Sequence, residues 1–208
     1  MVRPARPEVR QLLIERAAGL LARREPVTLR GVVAGTGVST MAVYTHFDGM
    51  PGLLGAVRQE GFSRLAGRLA AIPATDDPVG DAAAAGGAYA ASARLSPELY
   101  TLMFDGSLPL PDSGAANATL EHLVSAVRRA VAGGRFDADV DPLGLAHQLW
   151  MLGHGACMLL ATGVMPFEQV EPVVTSGLAC LYQAAGDDAG LAGASVRSGW
   201  ERGMTARA

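Results

Sequence analysis

Residues 142–167 carry no formally charged side chain, and this long run restricts the folds that are open to the chain. Such a stretch is typical of a helix that crosses a membrane, or of a helix buried on every side in a helical protein. His147, Gln148, His154 and several glycines interrupt it, and no arginine flanks either end to set a membrane orientation. We therefore expect a buried helix, with a membrane span as the alternative.

Helical periodicity extends over nearly the whole chain, and no segment shows a convincing period-two alternation. Near the start, Leu13, Ala17 and Leu20 recur at spacings of three and four residues. The sequence therefore predicts an all-α protein of about nine helices, and its small, polar tail from Gly186 allows one further helix at about 195–204. The nine predicted helices cover about residues 7–24, 29–35, 40–45, 50–71, 79–95, 96–104, 115–132, 143–162 and 167–185.

The net charge of −3 is distributed unevenly along the chain. Residues 1–70 hold ten arginines and five acidic residues, a charge of +5, whereas the remaining 138 residues hold seven arginines and fifteen acidic residues, a charge of −8. This asymmetry favours a basic N-terminal module that binds nucleic acid, joined to an acidic body. The alternative is an arginine-rich face that is simply solvated.

Two short predicted helices, 29–35 and 40–45, flank the turn "GTGVST" and have the lengths of a helix-turn-helix. Gly37 lies where the chain must turn sharply, and Ser39 can cap the second helix. The small apolar core that such a unit needs is available from Val32, Val33, Val38, Val43 and Phe47.

The segment "TLRGVVAGTGVSTMAVYTHFDGMPGLL" resembles the DNA-binding signature of the TetR-like (TetR/AcrR) transcriptional regulators, and the likeness covers about residues 10–58. The elements that carry it are Thr28, the turn at 35–39, the group Tyr44, His46 and Phe47, and the pair Leu53 and Leu54. Two positions depart from the family pattern. Thr36 replaces the usual alanine of the turn, and the Met50-Pro51 pair replaces a lysine that normally faces DNA phosphate.

The resemblance implies a three-helix DNA-binding domain at residues 1–50 and a larger helical domain for ligand binding and dimerisation at 51–208, connected by the helix at 50–71. It implies a cytoplasmic, ligand-responsive repressor that binds a palindromic operator as a homodimer. One alternative is a helix-turn-helix module that binds protein and has no ligand response. The other alternative is an enzyme.

An uncharged reading helix is compatible with DNA binding, because contacts to phosphate and contacts to bases are made by different residues. The arginines expected to attract phosphate are Arg3, Arg6, Arg10 and Arg30, with Arg58 as a further candidate. The residues expected to contact base edges are Thr40, Met41, Ala42 and Thr45. By resemblance, the phosphate contacts are Thr28, Ser39, Tyr44 and His46. Packing is the alternative role for Tyr44, and a helix-end cap is the alternative for His46.

The predicted helices 143–162 and 167–185 are the candidates for the dimer interface. Small residues that would allow close helix approach are Gly153, Gly155, Ala156 and Ala161. An apolar stripe on the second helix consists of Val170, Val173, Val174, Gly177, Leu178 and Leu181. The alternative is that these residues form an internal core.

Trp150, His154 and Gly155 resemble the Trp-x-x-x-His-Gly element of one subgroup of TetR-like C-terminal domains, and the first two share a helix face. A packed core histidine and a polar group in a cavity wall are the two interpretations of His154. The residues expected to line a ligand cavity are Tyr89, Tyr100, Met103, Phe104, Trp150, His154 and Met158. Because His154 alone among them titrates near neutral pH, we expect a small apolar or aromatic effector.

Motifs for catalysis, metals and cofactors are missing from the sequence. It contains no GxSxG, P-loop or HExxH pattern, and His147 and His154 lie roughly 10 Å apart along a helix, too far to share a metal ion. Cys157 and Cys180 have no metal-binding spacing and are expected to behave as small hydrophobic residues in a reducing cytoplasm. The N-terminus does not have the pattern of a signal peptide.

Overall fold

The computed structural model describes residues 7–206, and within that range the chain forms helices and no strand, which confirms the all-α prediction. Ten helices form there, one more than the nine expected. Their bounds are α1 (Pro7–Ala22), α2 (Leu29–Val33), α3 (Met41–Phe47), α4 (Met50–Ala70), α5 (Pro78–Leu95), α6 (Pro97–Met103), α7 (Gly114–Ala132), α8 (Pro142–Ala161), α9 (Phe167–Ala184) and α10 (Ala189–Thr205). None of the helices in residues 7–206 has the length and hydropathy needed to cross a membrane, and this includes α8, which contains most of the uncharged run.

Prolines and short polar side chains determine several of the helix starts. Pro78 and Pro142 lie in the first turn of their helices, where a missing N–H group costs no hydrogen bond. The Asp141 side chain accepts hydrogen bonds from two backbone N–H groups at the start of α8. The start of α3 differs from the prediction, because Thr40 rather than Ser39 occupies the N-cap and its side chain makes no capping hydrogen bond.

A small apolar core holds α1, α2, α3 and the first turns of α4 together. Val32, Val43 and Phe47 are buried in it, as predicted, whereas Val33 and Val38 are half-buried at its edge. From α1 the core receives Leu13, Ile14, Ala17, Ala18 and Leu20. This core gives the three N-terminal helices fixed relative positions, which a helix-turn-helix requires.

A larger core is enclosed by α5, α7, α8, α9, α10 and the second half of α4. Helix α5 lies at its centre and is buried on nearly every side. Helix α10 lies along α5, and the prediction of a shorter helix at 195–204 missed its first six residues. A Cβ atom on Gly199 would lie 2.0 Å from the Gly80 carbonyl oxygen, and one on Gly203 would lie 2.0 Å from the Ala84 oxygen. Only glycine at these two positions permits the observed approach of the two backbones.

A half-buried arginine, Arg135, ties the loops of the larger core together. The Arg135 guanidinium donates hydrogen bonds to both oxygens of Asp187, at 2.7 and 2.8 Å, and to Asp77 at 3.1 Å. The Asp187 side chain is only 1% exposed. These contacts join the α7–α8 loop, the α9–α10 loop and the start of α5, and so they hold one end of the helical bundle together.

Helices α4 and α6 contribute to both cores. On α4, Leu53 packs into the N-terminal core and Leu65 into the larger one. On α6, Leu99 packs into the N-terminal core, while the neighbouring Tyr100 and Met103 pack into the larger one. The domain boundary at residue 50 therefore stays a prediction, with α4 and α6 as the elements common to both sides.

Candidate functional site

The turn between α2 and α3 is stabilised by the residue that departs from the family pattern. Gly35 and Gly37 both have φ of +71°, a conformation that favours glycine. Between them, the Thr36 hydroxyl donates to the Val33 carbonyl oxygen at 2.7 Å and accepts from the Val38 N–H at 3.2 Å. The threonine at this position therefore bridges the two arms of the turn, a contact that alanine cannot make.

Helix α3 presents an uncharged face to solvent. Met41 is 64% exposed and Tyr44 is 50% exposed, and Thr45 beside them is exposed as well. Val43 and Phe47 point the other way, into the N-terminal core. Of the residues expected at base edges, Met41 and Thr45 lie on the solvent side of the helix. Thr40 is half-buried at the N-cap.

Ala42 is less accessible than Met41, Tyr44 and Thr45. It is half-buried and packs against the N-terminal core, since it lies one position away from Val43 on the helix. Its role at a base edge stays a prediction. The Thr45 hydroxyl donates to the Met41 carbonyl oxygen at 3.0 Å, which leaves its oxygen lone pairs and its methyl group available to a partner.

Several of the predicted phosphate contacts lie around α3. The Thr28 side chain caps α2 by accepting from the Gly31 N–H at 3.0 Å. Arg30 is exposed on α2, and Ser39 is exposed in the turn that precedes α3. One cation, two hydroxyls and helix N-terminal N–H groups are thus available in this unit, and all of these favour an anion.

Two further candidates contact Phe47, and two lie outside the described residues. The Arg10 guanidinium carbon stands 5.3 Å above the centre of the Phe47 ring, so this exposed arginine is partly oriented. The His46 ring is half-buried, with its centroid 6.1 Å from that of Phe47. Arg3 and Arg6 precede residue 7, where the described structure begins.

Arg58 has a structural role rather than the phosphate-binding role considered for it. Its Nε atom donates to the Met103 carbonyl oxygen at 2.8 Å and its Nη1 atom to the Leu108 oxygen at 2.7 Å. Both acceptors lie at or just beyond the end of α6. Arg58 therefore holds the loop that follows α6 against α4.

An aromatic cluster links α6 to α8 in the larger core. The Tyr100 hydroxyl lies 3.1 Å from His154 Nδ1, within hydrogen-bonding distance. The His154 ring is stacked with Trp150 at 5.5 Å between centroids, and its centroid is 4.1 Å from that of Phe104. Sequence spacing predicted the Trp150–His154 pair, and the structure adds the contacts from α6.

A narrow cavity lies beside this cluster, with Tyr89, Trp150 and His154 in its wall as predicted. Trp200 of α10 also lines it and was missed, because no local pattern places the tail against α5. The Trp200 Nε1 atom donates to Glu171 Oε1 at 2.8 Å, which fixes the indole. The cavity has about 20 Å³ of space for the centre of a water-sized sphere, enough for about one water molecule.

Two of the predicted ligand residues belong to a different cleft. Tyr100 and Met103 line a space of about 250 Å³ between α4, α5 and α6. Phe104 packs on the edge of the aromatic cluster, and Met158 is half-buried against the larger core. The seven residues therefore do not form one pocket; they divide between a nearly filled aromatic cavity and a more open cleft.

Burial keeps the titratable groups around the aromatic cavity uncharged. It raises the pKa of Tyr89 to about 12 and that of the Cys157 thiol to about 12, and it raises the pKa of Tyr100 as well. Burial lowers the pKa of His154, so its imidazole is neutral at pH 7. In residues 7–206 there is no group of histidine, cysteine and acidic side chains arranged to hold a metal ion.

Helices α8 and α9 also present an uncharged outer surface. On α8 it consists of Gln148, Met151, Gly155 and Leu159, and on α9 of Gln169, Val173, Ser176 and Cys180. We call this surface the α8–α9 face. Met151 is 59% exposed and Val173 is 63% exposed, although both are large and apolar. Three members of the predicted α9 stripe, Val170, Val174 and Leu178, lie instead in the protein's own core.

Residues 82–181 match the model of the tetracycline repressor-like C-terminal domain. The larger helical unit of this chain is therefore similar to the C-terminal domain of the TetR-like transcriptional regulators. The match lies in the larger helical unit, whereas the sequence resemblance was drawn from residues 28–54, so two separate parts of the chain support the same family. The Trp-x-x-x-His-Gly subgroup stays a prediction.

Several solved structures share the fold of this chain over most of its length. A protein of unknown function from Rhodococcus sp. RHA1 is 27% identical, with a TM-score of 0.71 over 89% of this chain and 99% of its own. The TetR family regulator PfmR from Thermus thermophilus is 19% identical, with a TM-score of 0.63 over 82% and 97% of the two chains. RolR in complex with resorcinol is 17% identical, with a TM-score of 0.65 over 91% and 93%. Among curated proteins, none matches significantly.

Proposed function

We propose that this protein is a cytoplasmic repressor that binds a palindromic operator as a homodimer and responds to a small apolar or aromatic effector. The observation that carries the DNA-binding part is the uncharged outer face of α3, bordered by Arg30 and the capped N-terminus of α2. A helix with this exposure fits the major groove, while cations at its border meet phosphate.

The residues of α3 favour contacts to A·T pairs. Met41 offers an apolar surface to thymine methyl groups, and Thr45 can donate, accept or present its methyl group. No arginine or lysine lies on this face, so the bidentate contact to guanine is not available from α3. Arg10, Arg30 and the N-terminal arginines supply the sequence-independent attraction to phosphate.

Selection of random duplexes by the purified protein tests the DNA-binding part of the proposal. We expect a recovered palindrome with A·T-rich half-sites whose centres are separated by about 34–36 Å or somewhat more. Binding should weaken steeply with added salt, because phosphate contacts release counterions. Recovery of no sequence, together with no retardation of any duplex at low salt, would favour the protein-binding alternative.

The α8–α9 face is the proposed dimer interface. Large apolar side chains exposed on two neighbouring helices are typical of a surface that pairs with a copy of itself. Replacing Met151 with aspartate would bury a charge in that interface, so we expect a monomer that binds operator weakly. Leu191 on α10 is a matched control, because it is also an exposed apolar residue, at 52%, outside the proposed face.

Light scattering separates the outcomes for the two variants. We expect Met151→Asp to give the mass of one chain and Leu191→Asp to give the mass of two. Equal masses for both variants would contradict the assignment of the α8–α9 face, whether both are dimers or both are monomers. Operator binding measured on the same samples then shows whether dimerisation is needed for DNA affinity.

The aromatic cavity is the proposed effector site. RolR, a protein of the same fold, binds resorcinol, and this supports a small aromatic ligand. Since the cavity has room for about one water molecule, an aromatic effector must displace side chains such as Trp200 or Tyr89. The sequence contains two tryptophans, Trp150 and Trp200, and both line the cavity. Their fluorescence therefore reports directly on entry of a ligand.

Helix α6 is the proposed route from the cavity to the DNA-binding unit, together with α4. Tyr100 contacts His154 in the cavity wall, while Leu99 and the Arg24–Glu98 pair, at 2.7 Å, contact the N-terminal unit. An effector that displaces His154 would move Tyr100, and through α6 the position of α1 and α4. A ligand acts only if it binds the two arrangements with different affinity.

Titration of the operator complex with aromatic compounds, resorcinol first, tests this response. We expect a compound that quenches the tryptophan fluorescence to release operator DNA, and the Trp200→Phe variant to lose part of the quenching. A compound that binds the cavity and leaves operator affinity unchanged would count against a ligand-responsive repressor, while DNA binding itself would remain.

A further inference from the structure

We propose that the cleft between α4, α5 and α6 is a second ligand site, which takes a small organic anion with one carboxylate and an apolar body. The cleft offers about 250 Å³ for a ligand, against about 20 Å³ in the aromatic cavity. This is close to the lower end of the range for small-molecule sites, roughly 300–1,000 Å³. The proposal does not depend on DNA binding or on an effector in the aromatic cavity.

The floor of the cleft is apolar and rigid. Leu65 of α4 and Leu99, Tyr100 and Met103 of α6 form it, and each is buried to more than nine-tenths of its surface. At Gly61 the two helices touch, since a Cβ atom there would lie 2.5 Å from Met103 Cγ. The floor is therefore fixed by close packing, and it suits the hydrocarbon part of a ligand.

The rim of the cleft is cationic. Arg64 and Arg68 follow one another at a spacing of one helical turn on α4 and both line the cleft, as do the hydroxyl residues Ser92 and Ser96. No acidic residue lines the cleft within the described part of the chain, and the acid at its rim is Glu60, which forms an ion pair with Arg64 at 2.8 Å. Two guanidinium groups above an apolar floor match a carboxylate that is attached to an apolar body.

The guanidinium groups are positioned by contacts that leave donors for a ligand. Arg64 Nε donates to Glu60 Oε1 at 2.8 Å, and within residues 7–206 this is the only hydrogen bond of the Arg64 side chain, so its Nη atoms make none. Arg68 Nη1 donates to the Ala206 carbonyl oxygen at 2.8 Å. Each arginine is thus held by one bond, and its remaining N–H groups can meet a carboxylate at the rim.

The competing explanation is that both arginines only cover apolar surface with their alkyl stems and keep their charges in water. The two explanations differ in the ligand that the cleft prefers. A solvated arginine pair gives no preference for a carboxylate over the corresponding neutral amide. A carboxylate site prefers the anion by about tenfold or more, the effect of one charge-assisted hydrogen bond.

Calorimetric titration of the full-length protein tests the proposal with two carboxylates, octanoate and phenylacetate, and their amides, octanamide and phenylacetamide. The aliphatic and aromatic pairs show which apolar body the floor accepts. Arg64→Gln and Arg68→Gln remove the rim charges one at a time. Arg128→Gln is the matched control, because Arg128 also forms an exposed pair along its helix, with Glu121 at 2.7 Å, and lies outside the cleft.

We expect at least one carboxylate to bind about tenfold more tightly than its amide. Each rim variant should bind that carboxylate with about tenfold lower affinity than the wild type. The Arg128→Gln variant should change its affinity by less than about twofold, as expected for an exposed pair. The proposal is overturned if neither carboxylate binds, if the amides bind equally well, or if the rim variants retain the wild-type affinity. Circular dichroism of each variant confirms that the helices remain intact.

Discussion

The seating of α10 on α5 can be tested by a single methyl group at Gly199. A Cβ atom there would lie 2.0 Å from the Gly80 carbonyl oxygen and 3.0 Å from the Ala83 Cβ atom. The obstacle is backbone, which cannot rotate away as a flexible side chain would. Gly199→Ala must therefore push the two helices apart.

The expected cost follows from two opposing terms. Overpacking a tightly packed interior costs about 1–3 kcal/mol, and contact with backbone at this distance favours the upper end. Alanine in place of glycine in a helix returns about 1 kcal/mol. The net loss of unfolding free energy is thus about 2 kcal/mol, which corresponds to a fall in Tm of roughly 4–8 °C for a protein of this length.

Gly193 on the same helix provides the control. The atom nearest to an added Cβ there is Arg197 Nη1 at 3.5 Å, an ordinary contact with the end of a flexible side chain. Gly193→Ala should therefore gain up to about 1 kcal/mol from helix propensity alone. Urea unfolding followed by circular dichroism measures both variants. If Gly199→Ala proves as stable as Gly193→Ala, then α10 does not pack against α5 as described.

Three further predictions concern the reading face, the aromatic cluster and the buried ion pair. Tyr44→Phe should lower the affinity for operator and for non-operator DNA by the same factor in gel-shift titrations, because a phosphate contact carries no sequence information. A loss of affinity for operator DNA alone would contradict this role. Burial lowers the pKa of His154, so the unfolded chain binds a proton more readily, and the unfolding free energy should fall as pH drops below about 6.5; His154→Gln should reduce that slope in urea unfolding at pH 7 and pH 5. Asp187→Asn should cost about 2 kcal/mol, below the range for a fully buried pair, since it leaves the half-buried Arg135 with Asp77 as its remaining acidic partner; a loss under about 1 kcal/mol would show that water replaces the carboxylate.

The helix content was predictable because its signals are local. Proline at residues 78, 97 and 142 and the turn at 35–39 mark helix boundaries by backbone chemistry alone, and the predicted ends of α4 to α9 fall within one residue or so of the observed ones. Helix α10 was only partly predicted for the same reason. Its glycines lower helix propensity, and the close approach to α5 that offsets this cost is a tertiary contact.

The candidate sites were predicted less completely than the helices, because side-chain partners depend on tertiary packing. Periodicity placed Val43 inward and Met41 outward on α3, yet it could not show that Ala42 packs partly against the N-terminal core. Arginine composition favoured a DNA role for Arg58, whereas its acceptors are carbonyl oxygens 45 and 50 residues further along the chain. The place of Trp200 in the cavity wall was not predicted either, because it depends on how α10 packs, and no local pattern indicates the position of that helix.

The division of the ligand residues between two spaces bears on how a signal could reach DNA. Tyr100 stands between them: its hydroxyl faces His154 in the aromatic cavity, and its ring helps to line the cleft between α4, α5 and α6. Leu99, the residue before it, is part of the N-terminal core. Packed interiors transmit displacement rather than absorb it, so a shift of α6 caused on either side of Tyr100 must alter the packing around Leu99. Ligands in the two spaces would then act on the same helix, and the affinity of one should depend on the presence of the other.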